Sequence, residues 1–110
     1  MHVVLSTISP EAAETLAYKL IDERVAACVN ILPGITSIYR WQGEVHRDDE
    51  SLLVIKTSTE ALPALMQRVA ELHPYDVPEI VALDTSSVHP PYAAWITSVT
   101  SGNTTDAKTR

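Results

Sequence analysis

Two stretches of the chain, Val25-Ala26-Ala27-Cys28-Val29-Asn30-Ile31-Leu32 and Leu52-Leu53-Val54-Ile55, carry small or apolar side chains at consecutive positions, Asn30 excepted, instead of alternate ones. Successive side chains of a β-strand point to opposite faces, so strands of this composition are apolar on both sides. A sheet built on them must be buried on both faces. The helical patterns in the chain suffice for one face only. We therefore expect further subunits to cover the other.

The remaining elements follow in order. Val3, Val4 and Leu5 lie in a first strand, His2 to Thr7. Ser9 is placed to cap a helix, with Pro10 at its first position and Glu11 in its first turn. Ala13, Leu16, Ala17, Leu20 and Ile21 recur at helical spacing, and that helix should end near Arg24. From Val25 to Trp41 the pattern is strand-like, interrupted by Pro33-Gly34, which predicts one long strand with a bend. Gln42 to Glu50 reads as the polar tip of a hairpin arm, and Ser51 to Ser58 as the returning strand. Ser58 or Thr59 can cap a second helix with the stripe Leu62, Leu65, Met66, Val69 and Leu72; Pro63 is compatible with its first turn. A strand from Glu79 to Asp84 and a short helix bearing Tyr92, Trp95, Ile96 and Val99 complete the chain. This order, β-α-β-β-α-β plus a C-terminal helix, is an α+β, ferredoxin-like arrangement. Residues 1–100 form its single domain, and 101–110 a polar tail expected to be flexible.

The link His73-Pro74-Tyr75-Asp76-Val77-Pro78-Glu79 joins the second helix to the last strand. Pro74 biases His73 away from the helical basin and stops the helix; Pro78 holds Val77 extended. An imidazole, a phenol and two carboxylates thus stand on a short, stiff connection. As a structural residue His73 ends the helix, its protonated form favouring the dipole and its ring bonding a carbonyl; as a functional one it serves a ligand or a metal.

Composition narrows the function. Fourteen acidic against eight basic residues give a net charge of −6, with no cluster of Lys or Arg to track phosphates, so nucleic acid is a poor partner. No apolar run is long enough to span a bilayer, and the N-terminus has no secretory pattern, which predicts a cytoplasmic protein without a membrane partner. Cys28 is the single cysteine, which excludes an internal disulfide and a cysteine-rich zinc site. Its setting among small and apolar residues suits packing better than a reactive thiol. His2, His46, His73 and His89 show no ligand spacing, and His46 and His89 are expected in solvent. Lys56 ends an apolar strand, and its ammonium is expected to reach the solvent or a carboxylate, with Glu79 a candidate; anion binding is the functional alternative. Tyr39, Trp41, Tyr75, Tyr92 and Trp95 accompany turns, arm or helix starts, where such rings serve as interface anchors or line a ligand cleft.

Several of these motifs together resemble the CutA divalent-cation tolerance family: Ser6-Thr7-Ile8-Ser9-Pro10, Ala26-Ala27-Cys28-Val29-Asn30, Pro33-Gly34, Ser37-Ile38-Tyr39-Arg40-Trp41-Gln42-Gly43, Ile55-Lys56-Thr57, the His73–Glu79 link and Tyr92-Ala93-Ala94-Trp95 stand in the family's order. The resemblance implies a homotrimer of ferredoxin-like subunits with exchanged arms, similar to P-II-type signalling trimers that bind small effectors between subunits. It places Cys28, Tyr39, Trp41, Lys56, His73, Tyr75, Glu79 and Trp95 near the inter-subunit clefts. Where some members carry a cysteine and a second histidine proposed for copper, this chain has Ser6 and Leu72. His73 is then the one candidate metal ligand, and the resemblance implies no assigned cofactor beyond a weakly bound divalent cation such as copper.

The function expected is non-enzymatic: a homotrimeric protein of the divalent-metal response that binds a cation or small effector. The alternatives are a P-II-like signalling protein or scaffold whose arms bind another protein, and an enzyme using His73 as acid or base with Asp76 or Glu79 beside it.

Overall fold

The computed structural model describes residues 1–101. Seven elements follow one another: β1 (His2–Ile8), α1 (Pro10–Asp22), β2 (Cys28–Trp41), β3 (Glu44–Thr57), α2 (Leu62–Leu72), β4 (Val81–Asp84) and α3 (Pro90–Thr100). The strands form one sheet in the order β2-β3-β1-β4, antiparallel throughout, which is the expected ferredoxin-like topology. The expected tail lies, from residue 102 on, outside the described residues.

α1 starts as its sequence directs, with Pro10 in the first turn and Glu11 beside the positive end of the helix dipole. Ser9 contributes its carbonyl to Ala12 N–H at 3.1 Å, while its hydroxyl makes no capping bond. The helix stops at Asp22, slightly before the expected Arg24, because Arg24 turns into the left-handed region at φ 59°. That turn lets the N–H groups of Val25 and Ala26 reach Leu20 O at 3.2 and 3.3 Å, satisfying a carbonyl at the helix end. β2 accordingly begins at Cys28, later than the expected Val25. Ahead of α2, the Ser58 hydroxyl accepts from Ala61 N–H at 3.2 Å. Arg68 then ties the two helices together, its fork donating to both oxygens of Glu23 at 2.6 and 2.8 Å. That bond holds the Glu23 carboxyl below its usual range.

Strand pairing assigns every side chain to a face. Val4 and Ile8 of β1 pair with Ile55 and Ser51 of β3, and with Leu53 they point to the helices. There they meet Leu16 and Leu20 of α1 and Leu65 and Val69 of α2 in one cluster, each nearly or wholly shielded from water. Burying a side chain of this size contributes about 1.5–3 kcal/mol, so this layer stabilises the subunit. The opposite face carries Val3, Leu5, Leu52, Val54, Val81 and Leu83. Val81 and Leu83 are each 46% exposed there. The sheet is apolar on both sides, as the consecutive apolar runs require, and α1 and α2 cover one of them.

The expected bend is present. Between Leu32↔Leu52 and Ile35↔Glu50 the register shifts, because Pro33-Gly34 adds one residue to β2. Gly34 sits at φ 76°, a conformation that glycine adopts without strain. The polar tip, however, is far smaller than expected. Only Gln42 and Gly43 form the turn, both at positive φ (51° and 82°), as a tight two-residue hairpin requires. Glu44 to Glu50 is strand, paired residue by residue with Trp41 to Ile35. Val45 is the one apolar residue between Glu44 and Glu50, so the segment shows no strand pattern in the sequence. β1 ends opposite Ser51, so these seven residues project past the sheet as a two-stranded arm about 23 Å long. The molecule is correspondingly elongated, 48 × 27 × 24 Å.

Candidate functional site

The site begins where α2 ends. His73 has left the helix, at φ −71° and ψ 136°, as a residue before proline should. Its N–H still closes the helix onto Val69 O at 2.9 Å. The ring is 7% exposed and ties two segments together: Nε2–H donates to Thr7 O at 3.0 Å, and Nδ1 accepts from Tyr75 N–H at 3.2 Å. A carbonyl can only accept and an amide N–H only donate, so these partners select the neutral Nε2–H tautomer and not the protonated ring expected at a helix end. With both nitrogens engaged, His73 must break one of these bonds to ligate a metal.

Tyr75 packs its ring edge-on to His73, centroids 4.6 Å apart, and crosses the end of β1 toward β3. Its hydroxyl donates to Glu50 Oε2 at 2.6 Å. Glu50 is the first arm residue beyond the sheet and only 6% exposed. Burial, and then the hydrogen bond to Glu50, push the Tyr75 phenol far above its ordinary range. On the arm, Tyr39 and His46 face each other across β2 and β3 with rings stacked at 5.6 Å. The Tyr39 hydroxyl donates to Asp48 Oδ2, which raises that phenol as well. The expected solvated His46 is thus partly covered by a ring.

Arm and link enclose a cleft of about 580 Å³. Tyr39, Trp41, Asp48 and Glu50 line it from the arm, Tyr75, Asp76 and Glu79 from the link, and Thr7 from β1. Of the residues singled out in the sequence, Tyr39, Trp41, Tyr75 and Glu79 therefore converge here, with His73 behind Tyr75 as its support. Cys28, Lys56 and Trp95 are not in the lining. Cys28 lies opposite Lys56 on the uncovered sheet face, with its Sγ 3.9 Å from Asn30 Oδ1. Lys56 donates to that same Asn30 oxygen, not to the candidate Glu79, because Asn30 is its neighbour on the adjoining strand. Trp95 packs against Tyr92 on α3, ring centroids 5.8 Å apart. The last strand also starts later than the expected Glu79. Pro78 offers no N–H, and pairing with β1 begins at Val81, which leaves Glu79 free to face the cleft.

The sequence pattern does not single out Asp48 and Glu50, because their segment has the composition of a polar tip. The signal was there: as a strand, Asp48 and Glu50 share the parity of Leu52 and Val54 and so one face of β3. No three His, Cys, Asp or Glu side chains among the described residues form a group able to hold a metal ion. Nor is any helix among them long and apolar enough to cross a membrane.

Comparison with known proteins accords with this architecture. The family model for the CutA1 divalent ion tolerance protein matches residues 1–99. The divalent-cation tolerance protein CutA of Thermus thermophilus is 57% identical over 96 residues, spanning 86% of this chain and 93% of that one. Protein CutA of Mus musculus is 43% identical over 90 residues, 82% of this chain but 51% of the mouse protein, so this chain spans about half of that relative. Among solved structures, the PII-like protein CutA from Nostoc sp. PCC 7120 in apo form superposes with a TM-score of 0.87 at 37% identity, covering 91% of this chain and 97% of the other. CutA from Xylella fastidiosa gives 0.86 at 39% identity, covering 89% and 95%. Matched along almost its whole described length in both sequence and fold, this chain belongs to the CutA1 divalent ion tolerance family.

Proposed function

We propose that this protein is a non-catalytic cytoplasmic homotrimer that serves divalent-cation tolerance by binding a small effector, or weakly a cation such as copper, in clefts completed between subunits. One observation carries the reading. Glu50 and Asp48, which line the cleft, lie on the same face of β3 as Leu52 and Val54, which belong to the uncovered apolar face. Cleft and apolar face are one continuous surface. A neighbour that shields the apolar part is brought to the mouth of the cleft, so assembly and ligand binding are coupled. The PII-like description of the Nostoc relative supports a signalling role of this kind. The arms, exposed and apolar at Ile38 and Val45, are the parts positioned to reach a neighbour.

The residues present do not fit a tight metal site. His73 has both ring nitrogens occupied, Cys28 belongs to the sheet face and not to the cleft lining, and among the described residues neither belongs to a group of three His, Cys, Asp or Glu able to hold a metal. Direct contact with copper or zinc is therefore weak and competes with the bond to Thr7 or Tyr75. Calorimetric titration should show no submicromolar binding of either ion; tight binding that survives His73→Ala would overturn this assignment. The assembly is tested by native mass spectrometry of Val54→Lys. Placing a charge at the centre of the apolar face should convert trimer to monomer while the subunit stays folded, since Val54 points away from the core. A variant that remains trimeric would refute the proposed interface.

A further inference from the structure

We propose that the ligand of this cleft is an organic cation, an alkylammonium or guanidinium compound, held against Trp41 and Tyr39 and neutralised by Asp76 and Glu79; this rests on the reading of the cleft as a ligand site. The charge of the walls comes first. Asp48, Glu50, Asp76 and Glu79 line the cleft, and none of the lining residues is Lys or Arg. Of the arm's own arginines, Arg40 donates to Gly43 O at 3.2 Å and Arg47 to Asp49 Oδ1 at 3.5 Å, so each is engaged along the arm itself. An anion entering this space meets like charge without a counter-ion, whereas a cation is drawn in.

The hydrogen-bond inventory points the same way. Tyr39 and Tyr75 both direct their hydroxyl protons to carboxylates, Asp48 and Glu50. Their phenol oxygens therefore present lone pairs, and the remaining carboxylate oxygens of the walls are acceptors too. Such a surface asks for a ligand rich in N–H donors or carrying diffuse positive charge.

Aromatic rings then decide between kinds of cation. Tyr39, Trp41 and Tyr75 stand around the same space, and an ammonium or guanidinium gains from the face of such rings. A bare divalent ion gains little from them. It demands several oxygens within roughly 2.0–2.6 Å, and the wall carboxylates do not gather into such a set among the described residues. The volume, about 580 Å³, also suits a small organic molecule better than a single ion.

The test is calorimetric titration of the whole chain with spermidine, choline and ATP at fixed ionic strength, with native mass spectrometry on the same samples. Saturable binding of spermidine or choline is expected, weakened about tenfold by Trp41→Ala and likewise by Glu79→Gln or Asp76→Asn, with no binding of ATP. All three positions are exposed, so the variants fold. An intact trimer that binds neither ammonium compound overturns the ligand class while the assembly stands. A monomer that binds one of them in a Trp41-dependent way supports the ligand class and refutes the assembly. Binding unchanged in Trp41→Ala is mere attraction to an acidic chain and overturns the proposal, as does ATP binding that Trp41→Ala weakens.

Discussion

Tyr75 is the residue on which the cleft turns, because its hydroxyl is the hydrogen-bond donor to a carboxylate held 6% exposed. Removing that donor with Tyr75→Phe leaves the ring packing intact and should cost about 1.5–3 kcal/mol, the range for hydrogen bonds to charged groups. The pH dependence follows from the direction of the shift. The folded phenol sits above its ordinary value of 10, so the fold favours the protonated form. Its stabilising effect is complete below pH 10 and is lost as pH rises through the folded value. Chemical denaturation of both proteins should thus give a gap that is constant through neutral pH and narrows above pH 10; a gap that widens there would contradict the assignment. At this scale the sequence revealed much. His73 as a helix-ending residue bonded to a carbonyl follows from Pro74 and the end of the apolar stripe. The identity of that carbonyl, Thr7 O, 66 residues away, does not.

Among the elements, the long β2–β3 ribbon decides where the cleft can exist. Pro33-Gly34 inserts the extra residue that shifts the register, and the arm beyond it carries Tyr39 and Trp41 toward the link. A Cβ built on Gly34 meets nothing within 4 Å, so any penalty for substitution there comes from the positive φ and not from crowding. Gly34→Val should lose about 1–2 kcal/mol and Gly34→Asn clearly less, since Asn tolerates the left-handed region. Equal losses in equilibrium denaturation would mean that contacts, not backbone strain, govern the site. The bend was legible because proline and glycine act locally on the backbone. Glu44 to Glu50 was not, because a strand free of the sheet needs no apolar face and its polar residues look like a turn. Helix ends showed a milder version of the same limit: α1 closes at Asp22 through the left-handed Arg24, a choice that no side-chain pattern announces.

For the whole molecule the consequence is a subunit unfinished on one side. Val81 and Leu83, nearly half exposed, sit on the sheet face turned away from α1 and α2, next to an acidic and aromatic cleft. If assembly shields that face, Leu5→Glu should weaken the trimer as Val54→Lys does, because Leu5 and Val54 are paired on it. Sedimentation analysis reads the effect, and dissociation of neither variant would refute the shared interface. The sequence by itself determined the order of elements, the bend and the apolar character of both sheet faces, since each depends on local backbone preference or on the two-residue period of a strand. The tertiary structure alone decided that Tyr75 meets Glu50, that Lys56 turns to Asn30 and that Glu79 faces a cleft. Those contacts depend on strand register and on where β1 ends, quantities set by the packing of distant segments and by no stretch of sequence alone.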